Sequence, residues 1–227
     1  MGTTYVANPS AASLSAINAP VFVPSEWAPT VLDLYHGLRQ WLIRKVHTGM
    51  YEILDYDSTL ELLDGKGKLA VFKRHQKVKF LQDNIIAFQD YAWGQGELFA
   101  RYKVSPGTEV DRYQDGDRWN VLISLRETKS RGDIEDFYIE RAVRNGFNED
   151  QEWQQVEVRH QTRRLRLATI FPKKRHCQRA ILSQRSRNRT TVLDREHFSE
   201  LPDGRQILTW ETYNITRLEI YTIRWSW

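Results

Sequence analysis

The sequence predicts a mostly β fold: an antiparallel β-sandwich, built as one domain or as two stacked β modules, with one N-terminal amphipathic helix ahead of it. Three observations lead there. From Met50 onward apolar and polar residues alternate in short runs, the period of a strand. Turn residues punctuate the runs, at Gly94-Gln95-Gly96, Pro106-Gly107, Asp115-Gly116, Asn145-Gly146 and Asp203-Gly204. Aromatic side chains, which suit pleated and half-buried surfaces, are abundant at 8 Trp, 10 Tyr and 9 Phe. No helical period recurs between the strands, which argues against a doubly wound α/β fold.

Residues 1–23 are small, polar and broken by proline, and read as a mobile leader. Segment 24–48 reads as an amphipathic helix packed on the β domain. Ser25 is placed to cap it. Trp27, Val31, Leu34, Leu38, Trp41 and Leu42 form one apolar stripe, and Gly49 ends it. Residues 49–227 then form the β-sandwich, with a candidate module boundary near 146–151. "LELLDGKGKLAV", residues 60–71, predicts a hairpin in which Leu62 faces Leu69 and Leu60 faces Val71, with Gly65 supplying the positive φ of a tight loop. Further strands are expected near 76–81, 84–92, 97–104, 118–127, 134–144, 152–160, 163–171, 177–184, 205–211 and 217–226.

Charge is distributed unevenly. The net charge is +4, yet residues 159–191 hold eleven Lys or Arg and no acid, leaving the remainder at −7. Such asymmetry can mark a polyanion site. "EWQQVEVRHQTRRLRLATIF", residues 152–171, predicts a hairpin turning at Gln161-Thr162. In that register Val156, Val158, Leu165 and Leu167 share a buried face, while Arg159, Arg164 and Arg166 share the exposed one. "PKKRH" reads as a turn presenting Lys173, Lys174 and Arg175. "SQRSRNRTT" reads as a polar loop presenting Arg185, Arg187 and Arg189. These nine residues are the candidate anion-binding set. The competing reading is an ordinary solvated face. Exchanging Arg164, Arg166, Arg187 and Arg189 for Glu is expected to leave the fold intact.

Motifs for chemistry are sparse. The six histidines show neither HxH nor HExxH spacing. "DREHF" places Asp194 near His197, but strand neighbours diverge. Cys177, the one cysteine, reads as a small buried hydrophobe, and it excludes an intrachain disulfide. Neither a phosphate loop, a dinucleotide loop nor a GxSxG elbow is present. The residues suggest no catalytic site, metal or cofactor. The amino terminus lacks the basic and apolar regions of a signal peptide, and a single cysteine suits a reducing compartment, so the expected location is the cytoplasm without membrane insertion. The first functional reading is a non-enzymatic β-sandwich module for binding or assembly, with a protein partner. The alternative is a sequence-nonspecific nucleic-acid-binding module using the 159–191 surface. The third is a β-scaffold carbohydrate-active enzyme, which needs only two carboxylates in a cleft.

Overall fold

The computed structural model describes residues 49–227. The expected leader and the helix at 24–48, with its Trp27–Leu42 stripe, lie outside the described residues.

The described chain is mostly β and forms three sheets. The largest has seven strands: β1 (Tyr51–Leu62), β2 (Leu69–Phe80), β4 (Glu97–Ser105), β7 (Ile134–Arg144), β9 (Leu165–Phe171), β12 (Phe198–Glu200) and β13 (Gln206–Thr212). Their spatial order is β12-β13-β9-β1-β2-β7-β4. A three-stranded sheet contains β3 (Ile85–Ala92), β5 (Thr108–Asp115) and β6 (Arg118–Lys129), in the order β3-β6-β5. A four-stranded sheet contains β8 (Gln151–Glu157), β10 (Arg179–Gln184), β11 (Arg189–Leu193) and β14 (Ile220–Ser226), in the order β11-β10-β14-β8. Strands β9, β12 and β13 join β1 and β2, so the large sheet draws on chain from both sides of residues 146–151.

Both smaller sheets pack on the same face of the large one. Phe88 of β3 stacks on Phe137 of β7 at 4.2 Å between ring centroids. On the other half, Trp225 of β14 meets Phe171 of β9 edge-on at 5.7 Å, and Tyr221 lies 5.2 Å from Trp210 of β13. Leu60, Leu62, Phe80, Phe137, Leu165, Leu167 and Leu208 are fully buried in that interface. Each such side chain contributes roughly 1.5–3 kcal/mol by leaving water.

The opposite, outward face of the large sheet is a ladder of alternating charge. Arg166 of β9 lies between Asp57 of β1 and Glu211 of β13 in register. Asp57 in turn faces His75 of β2. Inward residues are mostly apolar and many outward residues are paired charges, so the period of two separates the layers.

Several expectations from the sequence need correction. The hairpin at 152–171 does not exist: β8 pairs with β14 in the four-stranded sheet, and β9 pairs with β1 and β13 in the seven-stranded one. The segment between them runs along β1. Ile53 N donates to Gln161 O at 2.8 Å, and Arg163 N donates to Ile53 O at 3.0 Å. Val156, Val158, Leu165 and Leu167 are nevertheless buried. Alternation fixes which face of a strand is inward but does not name the strand opposite, and Gln-Thr is not hairpin turn chemistry. The β1–β9 pairing is also parallel, so the sheets are not uniformly antiparallel.

The hairpin at 60–71 forms with a different register, in which Leu62 faces Ala70 and Leu60 faces Phe72. The Asp64 carboxylate holds a longer loop, accepting from Lys66 N and Leu69 N at 2.8 Å each. The positive φ falls on Gly67 rather than Gly65. Residues 185–191, read as a loop, are the turn and returning strand of the β10–β11 hairpin, with Asn188 at φ 45°.

Candidate functional site

The inward face of the large sheet is apolar except at one place. Across β1, β2 and β7 the register sets Leu60, Phe72 and Arg141 in one row, and Ser58, Arg74 and Ile139 in the next. Two arginines therefore sit on adjacent central strands where packing alone calls for Leu or Val. Arg141 is 8% exposed. Facing them, β3 carries Asp90 at the inward phase between Phe88 and Ala92, 3% exposed.

Arg74 forms an ion pair with Asp90 and donates from Nη1 to the Tyr56 hydroxyl at 3.3 Å. Tyr102 donates its hydroxyl to the second Asp90 oxygen at 2.9 Å. Burial opposes the charge on Arg74, but Asp90 and Tyr56 outweigh it and raise its pKa. Arg141 has no such carboxylate. Its guanidinium lies 4.6 Å from the Phe72 ring and 5.6 Å from the Phe99 ring, and Nη1 has no hydrogen-bond partner among the described residues. Burial pulls the Arg141 pKa down to about 10, with Asp90 resisting and Arg74 adding to the fall. It remains a cation at neutral pH.

Tyr56, Arg74, Asp90 and Arg141 line a cavity of about 170 Å³ where the three sheets meet. That volume would hold on the order of ten waters. Gln76 and Ser58 of the large sheet, Gln89 of β3 and Gln154 of β8 add polar groups, while Tyr51, Phe72 and Phe88 add apolar wall. Exposed Gly94, Gln95, Gln151 and Trp153 stand at one end, so the cavity reaches the surface between the β3–β4 loop and β8.

His160 closes another wall. It is buried, stacks on Tyr51 at 4.1 Å, and burial together with nearby Arg217 lowers its pKa to about 4. An ordinary histidine in the unfolded chain binds its proton near 6.5. Between those values the unfolded chain carries the extra proton, so His160 contributes stability that is present above about pH 6.5 and lost as the pH falls toward 4. The loss amounts to roughly 3 kcal/mol at the full shift. Urea unfolding from pH 7 to pH 4 should show it, and His160→Phe, which keeps the stack on Tyr51, should flatten that part of the profile.

The candidate anion-binding residues do not form one surface. Arg159 lies at the cavity, 2.9 Å from Glu157 and 4.5 Å from the Tyr91 ring centroid. On the outward face Arg164 spans Asp55 at 2.7 Å and Glu211 at 2.9 Å, and holds the Glu211 carboxyl down at about 2. Arg166 binds both oxygens of Asp57 at 3.0 Å. Arg175 pairs with Asp150 at 3.0 Å and lies over Trp227. These four are half-buried rather than exposed. For Arg164 and Arg166 the acids that the basic run lacks come from strands far away in sequence.

Lys173, Lys174, Arg185, Arg187 and Arg189 are exposed. Arg187 donates to Thr216 Oγ1 at 2.7 Å, and with Arg189, His197 and Trp210 it lines a second cleft. Charge reversal is therefore expected to divide the set. Arg164→Glu would place a carboxylate beside Asp55 and Glu211 and should cost about 1–2 kcal/mol, more at low salt. Arg187→Glu with Arg189→Glu should leave the melting temperature within the error of a thermal scan.

Two smaller features fall elsewhere. Cys177 is buried, and burial pushes its thiol up to about 12, far from the reactive range. Asp194 and His197 lie in a 3-10 turn rather than on a strand, which brings Asp194 Oδ1 within 3.0 Å of His197 Nδ1.

The pocket residues Arg74, Asp90 and Arg141 were missed by motif reading, although the alternation marks them. Ala70, Phe72, Arg74, Gln76, Val78 and Phe80 share one phase, as do Phe137, Ile139, Arg141 and Val143, and Phe88, Asp90 and Ala92. In each the charge occupies a core position.

No protein-family model and no curated protein matches the sequence. Solved structures to which the chain is similar include the M1 zinc metallopeptidase from Deinococcus radiodurans, at 11% identity and a TM-score of 0.45, over 77% of this chain and 42% of that one. A mutant two-domain M1 zinc metallopeptidase bound to L-tryptophan aligns at 11% identity and a TM-score of 0.47, over the same shares. The chain thus spans less than half the length of these structures.

Proposed function

We propose that this chain is a non-enzymatic binding module, a β-sandwich that takes its ligand in the pocket where the three sheets meet. One observation carries the reading: Arg141 and Asp90, buried, and Arg74, half-buried, stand on inward strand faces and line a cavity that reaches the surface. Desolvating each ion costs several kcal/mol, and apolar residues of like volume are often at least as stabilising. Convergent polar groups in a largely apolar cavity are the usual make-up of a ligand site.

The lining suits holding more than proton transfer. His160 is neutral at ordinary pH, burial raises Tyr51, Tyr91 and Tyr102, and the arginines stay charged. Asp90 is engaged by Arg74 and Tyr102. Glu152, on the β8 wall, is the carboxyl that burial pushes up, and it accepts from Glu149 N at 2.8 Å. A crystallographic soak with a set of charged and neutral aromatic fragments tests the proposal. Fragments are expected beside Arg74, Gln76 and Gln154. Binding confined to the outer surface would overturn it.

A second reading, sequence-nonspecific nucleic-acid binding, is favoured by exposed Lys173, Lys174, Arg185, Arg187 and Arg189. It predicts duplex binding that weakens steeply with salt and disappears when the last three become Glu. A gel shift at two salt concentrations separates the readings.

A further inference from the structure

We infer that the pocket binds the carboxylate of a small, monoanionic organic molecule, and that the Arg141 guanidinium receives it. The inference rests on the pocket reading above and adds the chemical class of the ligand. Its first support is a charge count. Arg74 and Arg141 bring two positive charges to the inward sheet face, and Asp90 supplies one negative charge between them. Within this trio the surplus is a single positive charge, matched by a carboxylate rather than by a doubly charged phosphate; Arg159 and the three glutamates of the lining lie on or beside β8.

The second support is the division of partners. Arg74 binds Asp90 and Tyr56, and Tyr102 binds the second Asp90 oxygen, so Asp90 is already engaged, although Arg74 Nε has no hydrogen-bond partner among the described residues. Arg141 is left with aromatic faces, and its Nη1 has no partner among the described residues. A buried donor without an acceptor is a rare and costly arrangement. A planar guanidinium held between Phe72 and Phe99 is oriented in advance, and its fork matches the two oxygens of a carboxylate.

The third support is the shape of the remaining space. Apolar wall from Tyr51, Phe72 and Phe88, with the amides of Gln76 and Gln154, suits a flat organic body. Of the other ionic groups of the lining, Glu157 pairs with Arg159, Glu152 accepts from the Glu149 amide, and the Glu149 side chain is exposed to solvent. They leave Arg141 as the cation without an anion.

The test uses benzoate as probe, with benzamide as its neutral counterpart and inorganic phosphate as the dianionic one, on the wild type and on Arg141→Met. Binding is read by tryptophan fluorescence and by thermal shift. Benzoate is expected to bind the wild type at least tenfold more tightly than benzamide or phosphate, and to lose that advantage in Arg141→Met. The variant should itself melt no lower than wild type without probe, because it loses an unsatisfied buried cation. Equal binding of benzoate and benzamide, unchanged by Arg141→Met, would overturn the carboxylate inference while the pocket reading survives. Tighter binding of phosphate than of benzoate would also overturn it. Failure of all three probes would overturn it too, and the fragment soak then decides the pocket reading separately. Arg141→Lys supplies a second variant: it keeps the charge without the fork and should retain only part of the benzoate preference.

Discussion

Asp90→Ala is expected to cost about 3–5 kcal/mol of folding stability, the range for removing one partner of a buried ion pair. The effect does not come from losing a favourable contact alone. Asp90 is 3% exposed and is the carboxylate that accepts from both Arg74 and Tyr102. Without it, two guanidinium groups on adjacent strands face each other where screening is weaker than in bulk water. The buried Tyr102 hydroxyl loses its acceptor as well. Urea denaturation followed by tryptophan fluorescence measures the loss. Combining Asp90→Ala with Arg141→Met should restore part of it, because one of the two opposed charges is then gone. The double variant should therefore be more stable than the sum of the single changes implies. If Asp90→Ala costs under about 1 kcal/mol, water in the cavity screens the two guanidinium groups and Asp90 is not what holds them side by side.

The same three residues show what a single sequence discloses. The strands are legible because apolar alternation and turn residues are local. Ten expected strands coincide with observed ones, including β7 at Ile134–Arg144 and β3 at Ile85–Ala92. Short edge strands are not. β12 spans three residues, and β5 carries few buried side chains, so neither has enough alternation to be seen. Pairing is the weakest point, because it depends on residues far apart. Arg164 finds Asp55 and Glu211 only after β9 is inserted between β1 and β13. The stretch of the basic run around Arg164 looked unbalanced because the acids there sit about a hundred positions earlier and some fifty positions later. Arg141 is the opposite case. Its core phase is plain in "FYIERAV", yet a charge in a core phase reads as noise until β2 and β3 bring Arg74 and Asp90 beside it.

Gly67→Ala should cost about 2–5 kcal/mol, for reasons that combine backbone conformation and close approach. Gly67 has φ +66°, where an L side chain adds roughly 1–2 kcal/mol of strain. A Cβ there would also stand 1.4 Å from the carbonyl oxygen of Phe147, so backbone must move. Forcing bulk into such a contact adds about 1–3 kcal/mol. The contact matters because the β1–β2 loop is stitched to the end of β7. Asn145 N donates to Lys68 O at 2.8 Å, and Phe147 N donates to Gly67 O at 3.3 Å. Phe147 then carries the displacement inward, since it packs against Phe72 at 6.1 Å and Trp225 at 6.3 Å. Phe72 is the ring over which Arg141 lies, so a shifted Phe147 loosens the pocket as well as the loop. Gly116→Ala is the control: φ is +63°, but a Cβ would meet nothing within 4 Å. It should show the strain alone, about 1–2 kcal/mol. Thermal and urea unfolding of both variants separate the two contributions, and near-ultraviolet circular dichroism reports the Trp225 environment. Equal losses at the two glycines would mean that the Gly67–Phe147 approach is not present in solution, and that the loop does not brace the pocket wall.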